Sequence, residues 1–246
     1  MRDFEDSTLW RVSEFERQRL RTGGSAFNRL DTDTVLPSTL LADLRRLDLG
    51  GASDDPLEVV AACMRHREPA LLCMQCEGLV WPVTVFPAQM LYHSPRDMNE
   101  MLPAALGRIT LLSTEPPGVR PPGHWMHERV ADTNRYRPLL PLLWSLAVDG
   151  PRTMLLAEIA GPMGYRAVKN VDDEGVPLGG ALRSAAHRLR RETVSLREVA
   201  SWPGMSTERA SRLLNALYLG SALLASRSHP AARTGLRALL GGGKRS

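Results

Sequence analysis

Aromatic residues are sparse in this chain, 5% of 246 residues, which leaves little material for a platform on which the bases of a single strand could stack. Cysteine is scarcer still. Cys63, Cys73 and Cys76 form an odd set with no disulfide framework, and the opening MRDFEDSTLW is acidic where a secretion leader would be basic and then apolar. Both features lead us to expect a reducing, cytoplasmic compartment. Long apolar runs are missing as well: the longest, Leu139 to Val148, spans ten residues and contains Pro141 and Ser145, against the roughly 20 needed to cross a bilayer. No membrane span is expected.

The motifs of phosphate chemistry are missing too. Gly243-Lys244 is followed by Arg245 where a phosphate-binding loop needs Ser or Thr, and position 238, where its first glycine should stand, is alanine. Neither GxGxxG nor GxSxG occurs. No spacing brings a nucleophile, a base and an orienting group together, so the expectation is a protein that is not an enzyme and carries no cofactor. Cys73 and Cys76 (CxxC) with His124 and His127 (HxxH) could supply four zinc ligands. Against this, residues three apart on a strand point to opposite faces, so both thiolates could meet one metal only where the strand ended between them. The acidic run Asp172-Asp173-Glu174 lacks the spacing of a calcium loop and suits a solvated turn.

What is present is ordinary globular composition, 43% hydrophobic and 24% charged, arranged in alternating patterns. Helical periods run from Ser7 to Leu20, from Pro37 or Ser38 through Leu47, and from Pro56 behind a capping Asp54 or Asp55. Ala70–Cys76 and Leu79–Phe86 read as two strands joined at Glu77-Gly78, with Pro82 placing the second at an edge or a bulge. A third strand over Gln89–His93, a helix from Met98 to Leu106, a strand over Ile109–Leu112, an apolar helix ending at Asp149-Gly150 and a strand over Tyr165–Val168 complete a body of about residues 1 to 170. The fold class is α+β: a small mixed or antiparallel sheet with helices over one face, suited to sensing or docking.

The sharpest signal lies near the end. Ala181 to Leu189 is an amphipathic helix; Leu196, Val199 and Ala200 form a short one that Pro203-Gly204 stops; Ser206 or Thr207 caps a third whose apolar face is Ala210, Leu213, Leu214 and Leu217; and a strand follows Gly220. From Ala181 to Ser246 there are twelve basic side chains against three acidic, a net of +9, whereas the whole chain carries only +4. An acidic body with a basic end is the polarity of a protein that seeks phosphates.

The stretch from Ser195 to Leu224 resembles the C-terminal winged-helix domains of bacterial regulators, with the wing shortened. The resemblance implies a domain over about 176–235, a flexible basic tail over 236–246, and a regulator that binds double-stranded DNA. In that family the second helix of the pair reads bases in the major groove. Here that role would fall to Arg209, Arg212 and Asn215, with Arg190, Arg191, Arg197 and Arg227 on phosphates. The same domain type also serves as a protein-docking module, so an adaptor with a protein partner is the alternative expectation.

Overall fold

The computed structural model describes residues 9–27, 35–98, 101, 103–125, 130–172, 176 and 178–227. The chain divides into two compact units, Met1–Pro151 and Arg152–Ser246, and the fold is α+β with antiparallel strand pairing throughout its named strands. No described helix is long and apolar enough to cross a membrane.

The first unit is built on the hairpin β2 (Ala70–Cys76) and β3 (Leu79–Phe86). Glu77 and Gly78 both take positive φ, 50° and 77°, the mirror-image turn whose twist matches that of the strands it joins. The sheet runs β5-β2-β3-β4-β6, where β4 is Leu91–His93, β5 Thr110–Glu115 and β6 Tyr136–Pro138. A two-residue strand, β1 (Trp10–Arg11), also pairs with β3. Pro82 lies opposite Cys73 of β2. On its other side β1 pairs with Leu79 and Val80, β4 pairs from Thr84 onward, and Pro82 falls in the gap between them. The strand is central overall and an edge at its proline.

Among the described residues, the α-helices that accompany the sheet are α1 (Val12–Thr22), α2 (Ser38–Leu49), α3 (Pro56–His66), the short α4 (Pro103–Leu106) and α5 (Leu139–Asp149). Asp55 caps α3, its carboxylate accepting from the N–H groups of Leu57 and Glu58 at 2.9 and 3.4 Å, and Pro56 takes the first helical position. Helices were expected over one face of the sheet, but both faces are covered. Trp10, Phe15 of α1 and Phe27 pack with Leu71, Cys73, Val80 and Phe86 on one side, while α3 and α5 contact the sheet at β2 and β4. Every residue of β2 except Gln75 is accordingly buried. Of the helix expected over Met98–Leu106, the structure shows α4 over Pro103–Leu106, with Met98 and Met101 outside that element and residues 99, 100 and 102 outside the described residues.

The second unit begins earlier than expected. The strand expected at the end of the body, β7 (Gly164–Ala167), pairs antiparallel with β8 (Leu223–Ser226), Gly164 opposite Ser226 and Ala167 opposite Leu223. It therefore belongs with the three helices between them, and the boundary moves from about 170 to Pro151. These helices are α6 (Gly180–Leu189), α7 (Leu196–Ala200) and α8 (Thr207–Leu219). Val194, between α6 and α7, adds a bridge on the far side of β7 through reciprocal backbone bonds with Tyr165 at 2.7 and 3.0 Å. The proposed tail, 236–246, and most of the acidic turn, 173–175, lie outside the described residues.

Candidate nucleic-acid interface

The turn that presents α8 is set by three local devices. Ser195 and Glu198 form a reciprocal capping box on α7: the Ser195 hydroxyl accepts from the Glu198 N–H, and the Glu198 carboxylate accepts from the Ser195 N–H at 2.8 Å. Gly204 then turns the chain at φ +73°, where a Cβ would sit 2.8 Å from the Cβ of Ala181. Both the left-handed backbone and the close approach to α6 demand glycine. Ser206 restarts the helix, its hydroxyl accepting from the Arg209 N–H at 3.2 Å.

The arginines on and around the three helices divide into two sets. Arg183 pairs with Asp172 at 3.4 Å, Arg188 pairs with Glu192, and Arg212 pairs with Glu208 at 3.0 Å. The Arg188 guanidinium also lies 4.5 Å above the Trp202 ring. Arg190, Arg191, Arg197, Arg209 and Arg227 are all exposed, and none has an acidic partner among the described residues. Four of these five are the residues expected on phosphates; the fifth, Arg209, is from the base-reading set.

The other two members of that set are placed differently. Arg212 is largely covered, its side chain 16% exposed and held to Glu208. Asn215 is 0% exposed. Its Oδ1 accepts from the Leu156 N–H at 2.9 Å and its Nδ2 donates to the Met154 carbonyl at 2.9 Å. Asn215 is thus a clamp on the segment that leads into the unit, and it does not face a base. From Ala210 to Leu219 every residue of α8 is buried except the half-covered Arg212 and Tyr218, so the helix offers only its first turn to an outside partner. The sequence carried a signal for this: between Arg212 and Arg227 there is no charged residue, more than a groove-facing helix would leave bare.

The metal and cysteine candidates are not gathered. Cys73 and Cys76 lie on opposite faces of β2, as the strand period requires: Cys73 packs with Phe15 and Val80, whereas the Cys76 thiol donates to the Ala105 carbonyl at 3.4 Å. Burial, with Glu115 nearby, pushes the Cys73 thiol up, and burial alone raises Cys63 to about 12. His124 stacks against Trp125 with centroids 5.8 Å apart and stands beside Arg120; His127 lies outside the described residues. Among the described residues no group of three or more His, Cys, Asp or Glu could hold a metal. One ionic cluster was not anticipated. Asp43 of α2 takes His66 at 2.7 Å, Arg65 at 2.8 Å and Arg46 at 3.1 Å, and the His66 hydrogen bond foremost holds its carboxyl below the usual range. The Arg65 and His66 contacts tie α2 to α3. No protein-family model, no curated protein and no solved structure matches this chain.

Proposed function

We propose that the chain is a non-enzymatic regulatory protein whose second unit, winged-helix-like, binds double-stranded DNA. It does so chiefly through phosphate contacts from Arg190, Arg191, Arg197 and Arg227, with Arg209 as the remaining base-directed residue. The observation that carries this reading is the contrast among the arginines: Arg183, Arg188 and Arg212 are neutralised by acids, whereas these five, like Arg166 of β7, stand exposed with no acidic partner among the described residues. An unneutralised guanidinium displaces condensed counterions when it meets a phosphate, and that release drives binding with little regard to sequence. The burial of Asn215 narrows base readout to the first turn of α8, so the expected sequence preference is weak.

Fluorescence anisotropy of the full chain with a labelled duplex, titrated over salt, tests it. Four phosphate contacts imply a slope of about −3.5 in log affinity against log salt, so raising salt from about 50 to 200 mM weakens binding on the order of 100-fold. Affinity weaker than about 10⁻⁴ M at physiological salt, below the usual non-specific range, rejects the proposal.

The second reading is that the same unit docks on a protein partner. What favours it is the covered α8 together with the exposed apolar Leu224 on β8, 55% exposed. β8 pairs with β7 alone among the described residues. Retention of a protein from nuclease-treated lysate, lost on Leu224→Asp, with no duplex binding at all, would select it.

A further inference from the structure

Among the described residues, the first unit has an open sheet edge beside an apolar helix face. Among the described residues β5 pairs with β2 alone, and its sequence, TLLSTE, contains neither of the residues, lysine and proline, that commonly blunt such an edge. Among the described residues its backbone bonds outward at one point: the Leu111 N–H donates to the Asp54 carbonyl at 3.0 Å. Beyond it Leu112, Ser113 and Thr114 are half-buried. The ladder to β2 is irregular between Cys73 and Met74, leaving Leu112 as an extra residue, a device that at sheet edges re-aims a side chain toward a site.

Across from this edge runs α2. Leu40 is the one residue of the helix that is buried, while Leu41, Leu44 and Leu47 remain half-covered. These leucines and Leu112–Thr114 line a groove of about 430 Å³, within the size range of sites that take ligand side chains. Its charged rim is unequal: Asp48 and Asp54 stand against Arg45, all three exposed and none in an ion pair among the described residues. An edge strand supplies main-chain hydrogen bonds to an extended partner, and pockets beside it select alternate side chains.

We propose that this groove docks an extended peptide of a partner protein, added as a strand on β5, with apolar side chains among Leu41, Leu44 and Leu47 and a basic side chain facing Asp48 and Asp54. An amphipathic helix would use the leucines and leave the β5 edge idle; an acidic peptide would meet the excess carboxylate. The proposal is independent of the arginine surface of the second unit.

The test uses the full chain and a displayed library of random twelve-residue peptides, followed by fluorescence polarisation of the enriched sequences. Expected are peptides that alternate apolar residues with Lys or Arg, lose at least 10-fold in affinity for Leu44→Asp, and lose as much when N-methylated at alternate residues on one edge but not on the other. Asp48→Lys with Asp54→Lys, both at exposed positions, should turn the selection toward acidic peptides. No enrichment, equal binding to Leu44→Asp, indifference to N-methylation on either edge, or an unchanged preference after the charge reversal would each overturn it. Sedimentation showing a dimer of this chain that Leu44→Asp dissolves would overturn it in favour of a second copy as the occupant.

Discussion

Replacing Asn215 by alanine separates two roles that its sequence position leaves confounded. If the side chain clamps the segment leading into the second unit, the substitution removes the acceptor of the Leu156 N–H and the donor to the Met154 carbonyl, both at 2.9 Å. Leu156 is itself 0% exposed, so water does not readily replace the lost acceptor. An unsatisfied buried backbone group costs about 1–3 kcal/mol. The Met154 carbonyl keeps its bond from Arg152 Nε at 2.9 Å and belongs to an exposed residue, so the orphaned Leu156 N–H sets an expected loss of about 1–3 kcal/mol for Asn215→Ala. Urea unfolding of the second unit followed by tryptophan fluorescence, for which Trp202 is the reporter between residues 152 and 246, reads that loss. Hydrogen exchange at Leu156 should accelerate with it. Duplex binding measured well below the unfolding midpoint should be unchanged. A variant as stable as the parent, with unaltered exchange at Leu156 and reduced preference among DNA sequences, would refute the clamp and restore Asn215 as a reader of bases.

Three further outcomes follow from the geometry. Arg191→Ala should weaken duplex binding alike for all sequences and reduce the salt slope by about one, while Arg209→Ala should cost about 1–3 kcal/mol and relax what preference exists; equal effects of both on every sequence would remove Arg209 from base contact. His93 is 0% exposed, and burial, then Arg135 and Arg137, lowers its pKa from 6.5 to about 4. The unfolded chain thus binds the proton first, and its contribution is complete above about pH 6.5 and lost as pH falls toward 4, on the order of 3 kcal/mol in all; His93→Phe should flatten that part of a stability-against-pH curve measured by urea unfolding. At Gly150 a Cβ would lie 2.1 Å from the Leu146 carbonyl oxygen, so Gly150→Ala should destabilise the first unit by roughly 1–3 kcal/mol, the usual range for overpacking, whereas Gly179→Ala, with nothing within 4 Å, should change the denaturation midpoint little.

What could be read from the sequence was what local chemistry decides. The limits of β2 and β3 matched because Glu77-Gly78 fixes the turn, α3 began where Asp55 and Pro56 place it, and Ser206 capped α8. What could not be read depends on a distant partner. β1 and β6 are two and three residues long, too short for any period, and exist because β3 and β4 offer them an edge. The unit boundary was misplaced for the same reason, since β7 is indistinguishable from a strand of the body until β8 claims it. At the candidate interface the exposed arginines were identifiable by type. Asn215 was not, because a polar residue in line with Arg209 and Arg212 looks solvated until the backbone of Met154 and Leu156 is known to cross it.

The pairing of Gly164 with Ser226 has a mechanical corollary. Opposed residues of an antiparallel ladder lie about 5 Å apart, so the polypeptide comes into the helical trio and departs from it at practically the same spot. A pull on those two points loads the ladder from one end and opens its bonds in succession, never all together, so in a force spectrometer the module should unzip at low tension however well it resists urea.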